Sequence, residues 1–174
     1  MKEQNFKQTE VGKIPVDWEI LKLQEICNFQ NGVGHEQFES ESGKYIVVNS
    51  KFISTESKVK RFCNKDLVPL LKNDITIVMS DIPNGKALAK CYIIEKDNCY
   101  SLNQRIGRIV ITEMSAKFYF YYLNRNKYFI SFDSGSGQTN LRKQEVLDCP
   151  IIVPPLAEQE KIAEVLSDTD LWIE

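Results

Sequence analysis

The chain's one histidine, His35, stands in the glycine-rich stretch Gly32-Val33-Gly34-His35, with Glu36 beside it. A metal centre or a Ser-His-Asp catalyst would have to be built on that single imidazole, and its setting predicts a surface loop residue instead. Cysteines stand at positions 27, 63, 91, 99 and 149 with no Cys-x-x-Cys pair. An odd number at these spacings suits reduced, mostly core thiols rather than a disulfide frame or a zinc site. No glycine-rich loop ends in Gly-Lys-Ser/Thr, and Pro83-Asn84-Gly85, followed by Lys86, reads as a turn. The carboxylates have no focus for acid-base work. Val153-Pro154-Pro155-Leu156 has the prolines of an adenine methyltransferase's Asn/Asp-Pro-Pro-aromatic tetrapeptide, but neither the amide or acid nor the aromatic. The chain therefore reads as non-catalytic by itself, with no cofactor and no metal. What remains is hydrogen bonding and charge. After Gly135-Ser136-Gly137, the run Gln138-Thr139-Asn140-Leu141-Arg142-Lys143 brings polar donors and two cations together.

The elements that must position such groups are legible in outline. At 174 residues the chain is one domain's worth, with an ordinary 43% of hydrophobic residues. No apolar run approaches a membrane span and the first residues are polar, so a cytoplasmic protein with no membrane contact is expected. Ile14-Pro15-Val16 reads as an extended entry, and Trp18 to Leu23 as a strand or turn leading to a short helix near Cys27. Strands are expected at 45–48, 74–79, 89–94, 107–111 and 151–153 from their β-branched character. Ser115 to Phe132 reads as one helix capped by Ser115. Its eight aromatics suit a core better than a base-stacking platform. Prolines 154 and 155 close the last strand, and a helix opens with acidic residues. The sum is an α+β domain.

Charge is distributed unevenly. The chain holds 22 Lys and Arg and 24 Asp and Glu; positions 44–143 take 17 and 8 of them, leaving 5 and 16 on the flanks. A net charge of −2 thus covers a basic centre between acidic ends, and local field is what a phosphate backbone feels.

Three segments carry a family resemblance. They are the entry Val11-Gly12-Lys13-Ile14-Pro15-Val16-Asp17-Trp18-Glu19-Ile20-Leu21-Lys22-Leu23, a middle pair, and the close. The middle pair is Asp74-Ile75 through Met79-Ser80-Asp81 and Ser101-Leu102-Asn103-Gln104-Arg105. The close is Gly135 to Leu141 followed by the Pro-Pro-Leu-Ala-Glu-Gln helix start. In this order they resemble a target recognition domain of the specificity subunit of type I restriction-modification enzymes. The resemblance implies a compact α+β recognition domain over 1–156, with a twisted mixed sheet plus helices, and the start of a conserved coiled-coil-type spacer helix over 157–174.

It also implies a role. A full subunit of that family carries two recognition domains, each reading one half of a bipartite DNA site. Its spacer helices dock modification subunits that methylate adenine, and motor-nuclease restriction subunits complete the complex. On that footing Asn103, Gln104, Arg105, Gln138, Asn140, Arg142 and Lys143 have the types that read base edges, while Lys51, Lys58, Lys60, Arg61 and Lys86 suit phosphates. Ile162, Val165, Leu166 and Ile173 form an apolar seam for a partner subunit or a homodimer. The family pattern has two domains and this chain shows one, which leaves open a half-subunit, a truncated product or an excised domain. The alternative role is an interaction fragment that does not bind DNA and only competes for methyltransferase subunits.

Overall fold

Residues 6–15 close a hairpin in the structure, a computed structural model that describes residues 5–82, 85–133, 135 and 137–173. Its strands are β1 (Phe6–Thr9) and β2 (Gly12–Pro15). β3 (Glu19–Lys22), a 3-10 turn at Leu23–Glu25, and β4 (Cys27–Asn31) follow. Next come β5 (Tyr45–Val48), α1 (Ser50–Ser54), β6 (Phe62–Cys63), β7 (Ile75–Val78), β8 (Ser80–Asp81), β9 (Cys91–Ile93), β10 (Tyr100–Leu102) and β11 (Ile106–Ile111). The last third holds α2 (Ala116–Leu123), α3 (Lys127–Ile130), β12 (Thr139–Asn140), α4 (Lys143–Leu147), β13 (Pro150–Val153) and α5 (Leu156–Ile173).

The α+β class holds, but a single mixed sheet does not form among the described residues. Short strands divide the pairing between an antiparallel four-stranded sheet, β4-β11-β7-β9, and a mixed three-stranded one, β10-β5-β6, in which β10 and β5 run parallel. β8 pairs with β12, and β3 with β13, so the entry strand and the last strand are neighbours.

β7 sits between two cores, which explains why all four of its residues are buried: a strand covered on both faces need not alternate. Ile75 and Ile77 face the larger core with Ile109, Phe118, Tyr119, Leu123, Phe129 and Ile151. Val78 faces the smaller one with Val48, Phe52, Leu70, Leu102 and Ile106. β11 splits its side chains in the same way. Arg108, on the face shared with Ile106, places Nε 2.7 Å from Asp74 Oδ2. The approach angle does not make that a directed hydrogen bond, since Arg108 Nε has no hydrogen-bond acceptor. The contact is a buried ion pair, with the Leu71 N–H (2.7 Å) satisfying the same carboxylate oxygen.

The helix expected over 115–132 is two helices. Ser115 caps the first, its hydroxyl accepting the Phe118 N–H at 3.3 Å. Asn124-Arg125-Asn126 then breaks it. Asn124 Oδ1 accepts the Cys91 N–H at 3.0 Å, Arg125 adopts a left-handed φ of 56° and donates its N–H to Ala89 O, and Asn126 Oδ1 caps α3. Asparagine side chains compete with the helical backbone for hydrogen bonds, and here Asn124 satisfies β9 at the sheet edge. The aromatics are core: Phe118, Tyr119 and Phe129 are buried. All five cysteines are free thiols, with Cys63, Cys91 and Cys149 buried. Burial pushes the thiols of Cys27 and Cys149 up to about 11 and about 12, so neither is a nucleophile at neutral pH. The strands expected at 45–48, 74–79, 89–94, 107–111 and 151–153 all form within about two residues of those bounds.

Candidate nucleic-acid interface

Met79 joins the two polar segments that the sequence singled out. Its N–H donates to Arg105 O at 2.9 Å, and its C=O accepts the Leu141 N–H at 2.7 Å. The Asn103–Arg105 turn and the Gln138–Asn140 segment therefore flank one backbone unit, although 33 or more positions separate them in sequence. The turn is pinned at each residue. Asn103 N–H donates to Val48 O, Gln104 N–H donates to Val33 O, and Arg105 O takes Met79 N–H. Arg105 is held at a left-handed φ of 67°, a conformation that non-glycine residues adopt at a cost. Because Val48 ends β5 and Asn49 caps α1, the same turn also adjoins the start of the helix that carries Lys51.

His35 lies under this turn, not on the surface as its loop setting predicted. It is 1% exposed. Ser101 Oγ accepts the N–H groups of Leu67 and Val68, so its proton goes to His35 Nε2 at 2.8 Å. The ring's Nδ1–H then donates to Val33 O at 2.9 Å, with Asn103 Oδ1 at 3.4 Å. An imidazole with both nitrogens engaged is a strut between the Val33 loop and β10. The glycine-rich flanks read as a loop, and they serve close packing: Gly32 lies against the backbone of Asn103.

The predicted base readers differ in what they offer. Arg105, Arg142, Lys143, Gln138, Asn140 and Gln104 are exposed, and Asn103 is half-buried. Gln104 Nε2 donates to Glu36 Oε1 at 2.7 Å, a pairing that sequence spacing did not suggest. Lys143 Nζ lies 5.9 Å from the centroid of the Phe29 ring on β4, and Arg142 precedes α4, where its N–H donates to Glu145 Oε2. Gln138, Ser80 and Asn140 form one hydrogen-bonded unit: Gln138 Nε2 donates to Ser80 Oγ at 2.6 Å, and Ser80 Oγ donates to Asn140 Oδ1 at 2.7 Å. Ser80 was missed because a lone serine after a strand carries no signal of its own.

Of the expected phosphate ligands, Lys51, Lys58, Lys60, Arg61 and Lys86 are all exposed. Lys60 and Arg61 line a shallow groove shared with Glu39 and Glu41, and Arg61 pairs with Glu39 at 3.5 Å. An exposed pair of this kind is worth about 0–1 kcal/mol and does not hold Arg61 away from a stronger anion. Lys86 rides on a loop gathered by Asp81, whose carboxylate accepts the N–H groups of Ile82, Ala87 and Leu88. Pro83 and Asn84 of the expected turn lie outside the described residues. The apolar positions of the terminal helix differ in setting. Ile162 packs on the larger core while Val165 and Leu166 are exposed; the side chain of Ile173 lies outside the described residues. Among the described residues, no three His, Cys, Asp or Glu side chains converge as metal ligands, and no helix is long and apolar enough to cross a membrane.

Known proteins resemble this chain in sequence and in fold. The chain is 29% identical to the type I restriction enzyme MjaVIII specificity subunit of Methanocaldococcus jannaschii over 98% of its own length and 43% of the relative's. It is 28% identical to the putative MjaX specificity subunit of the same organism, again over 43% of the relative. The chain thus spans somewhat under half the length of the curated relatives it matches. Its fold superposes on the type I restriction-modification S subunit from M. genitalium with a TM-score of 0.69, at 18% identity, over 88% of this chain and 39% of that one. A family model described as the type I restriction modification DNA specificity domain matches residues 15–174. With nearly the whole chain inside that match, this protein belongs to the type I restriction modification DNA specificity domain family.

Proposed function

We propose that this chain is a non-catalytic, sequence-reading DNA-binding domain. It reads one half of a bipartite double-stranded site, and modification and restriction subunits then methylate adenine or cleave. The observation that carries this reading is the junction at Met79, which sets two amide- and guanidinium-bearing segments side by side, beside the lysine-bearing start of α1. Arg and Lys complement guanine, and Asn and Gln complement adenine, in the major groove. Such groups on loops held by a sheet are pre-positioned at little entropic cost on binding. We also infer that residues 1–156 form the recognition unit and 157–174 the start of a spacer helix; exposed Val165 and Leu166 support a subunit contact there.

Selection of binding sites from random duplexes tests the reading. Arg105→Ala or Arg142→Ala is expected to relax one base position by about 1–3 kcal/mol and leave the rest of the profile intact. Duplexes that are never retarded at low salt would instead identify an interaction fragment without DNA affinity. Joint replacement of Lys60 and Arg61 by alanine is expected to weaken all sequences alike and lower the slope of log affinity against log salt by about 2, roughly one per lost phosphate contact. An unchanged slope would remove both residues from the interface.

A further inference from the structure

β12 alternates, with Thr139 buried and Gln138 and Asn140 exposed on its outer side. Their two amides are joined twice: directly, with Gln138 Nε2 3.4 Å from Asn140 Oδ1, and through the Ser80 hydroxyl. Ser80 itself is 8% exposed and sits on β8, paired in register with Asn140. A hydroxyl has one proton. Ser80 gives it to Asn140 Oδ1 and accepts from Gln138 Nε2, so the two amides are held with opposite ends engaged. With Gln138 Nε2 donating to Ser80 and Asn140, and Asn140 Oδ1 accepting from Ser80 and Gln138, Gln138 Oε1 is left as an acceptor and Asn140 Nδ2 as a donor, neither with a partner among the described residues. An unrestrained exposed amide rotates and offers either end, so it distinguishes little.

We propose that Ser80 is a positioning residue for sequence readout: it locks the Gln138 and Asn140 amides into a fixed acceptor–donor pair. This rests on the DNA-reading function proposed above and adds its polarity. The acceptor selects an exocyclic amino group in the major groove, adenine N6 or cytosine N4. The donor selects a purine N7 or a carbonyl at the adjoining edge. Neither amide alone can make the bidentate adenine contact open to a free asparagine, because Asn140 Oδ1 is already committed to Ser80 and Gln138.

The test is binding-site selection with Ser80→Ala and Ser80→Thr, alongside Gln138→Ala and Asn140→Ala, with thermal melting of each variant. Ser80→Ala is expected to keep its melting temperature within a few degrees and its affinity for unselected DNA within about threefold. At the positions that Gln138→Ala and Asn140→Ala also relax, base preference should fall about tenfold, the order of one hydrogen-bonded base contact. Ser80→Thr, which keeps the hydroxyl, should restore that preference. A Ser80→Ala profile identical to the parent's, while the two amide variants change theirs, would overturn the positioning role and leave the DNA-reading function standing. A parent chain with no base preference at all would overturn both.

Discussion

Gly32→Ala is expected to lower stability by about 3 kcal/mol, the upper end for overpacking, and to blur base preference at whichever position Arg105 contacts. A methyl group at Gly32 would fall inside the van der Waals envelope of the Asn103 carbonyl oxygen, with the carbonyl carbon 2.6 Å away. Both are backbone atoms and neither chain can yield freely. Gly32 N–H is bonded to Ile106 O, Val33 N–H to Leu102 O and Gln104 N–H to Val33 O, at 3.0, 3.2 and 2.9 Å. The strain relaxes only by moving the Asn103–Arg105 turn. For a domain of this size the loss corresponds to roughly 10 °C in melting temperature. Gly34→Ala is the control: its nearest neighbour is the Glu36 carboxylate, the tip of an exposed side chain that can swing away. It should cost under about 1 kcal/mol. Equal melting temperatures for Gly32→Ala and the parent would show that the loop does not buttress the turn.

Tyr119→Ala is the larger lesion, expected at about 4 kcal/mol, whereas Tyr119→Phe should cost about 1 kcal/mol. Tyr119 is fully buried, its ring meets Phe118 edge-on at 5.0 Å, and its hydroxyl donates to Ile152 O at 3.2 Å. Burial pushes the phenol well above its ordinary range, so it remains a donor at any pH at which the fold survives. Truncation removes the packing between α2 and β13 and leaves a cavity in the larger core. Phenylalanine keeps the packing and forfeits only the hydroxyl's contacts with Ile152 O and Met114 Sδ. Urea unfolding followed by circular dichroism separates the two, because midpoints at constant slope report stability directly. An alanine variant no weaker than the phenylalanine one would mean that the core collapses around the gap.

Strands were the most legible part of the fold. Tyr45–Val48 and Ile75–Val78 stand out because β-branched runs bounded by turn residues have few other uses. The 115–132 helix was misread because aromatic spacing continues through Asn124-Arg125-Asn126. Nothing local announces that Asn124 satisfies Cys91 on β9 and that Arg125 bonds Ala89 just before that strand. His35 was misread for a similar reason. Glycine neighbours usually mean an exposed turn, but here they allow close approach to Asn103, and the imidazole's side-chain partners, Ser101 and Asn103, lie 66 and 68 positions away.

By itself the sequence determined the family, the class of fold and the types of side chain available for recognition. These follow from composition, local propensity and motifs, which act over a few residues. Only the tertiary structure decided which of those side chains stand together and in what hydrogen-bonded state. Met79 joins positions 105 and 141, Ser80 orients positions 138 and 140, Glu36 occupies Gln104, and Ile162 turns into the core. Each of these depends on strand pairing across long sequence separations, where register is set by burial of whole faces and not by any neighbour in the chain.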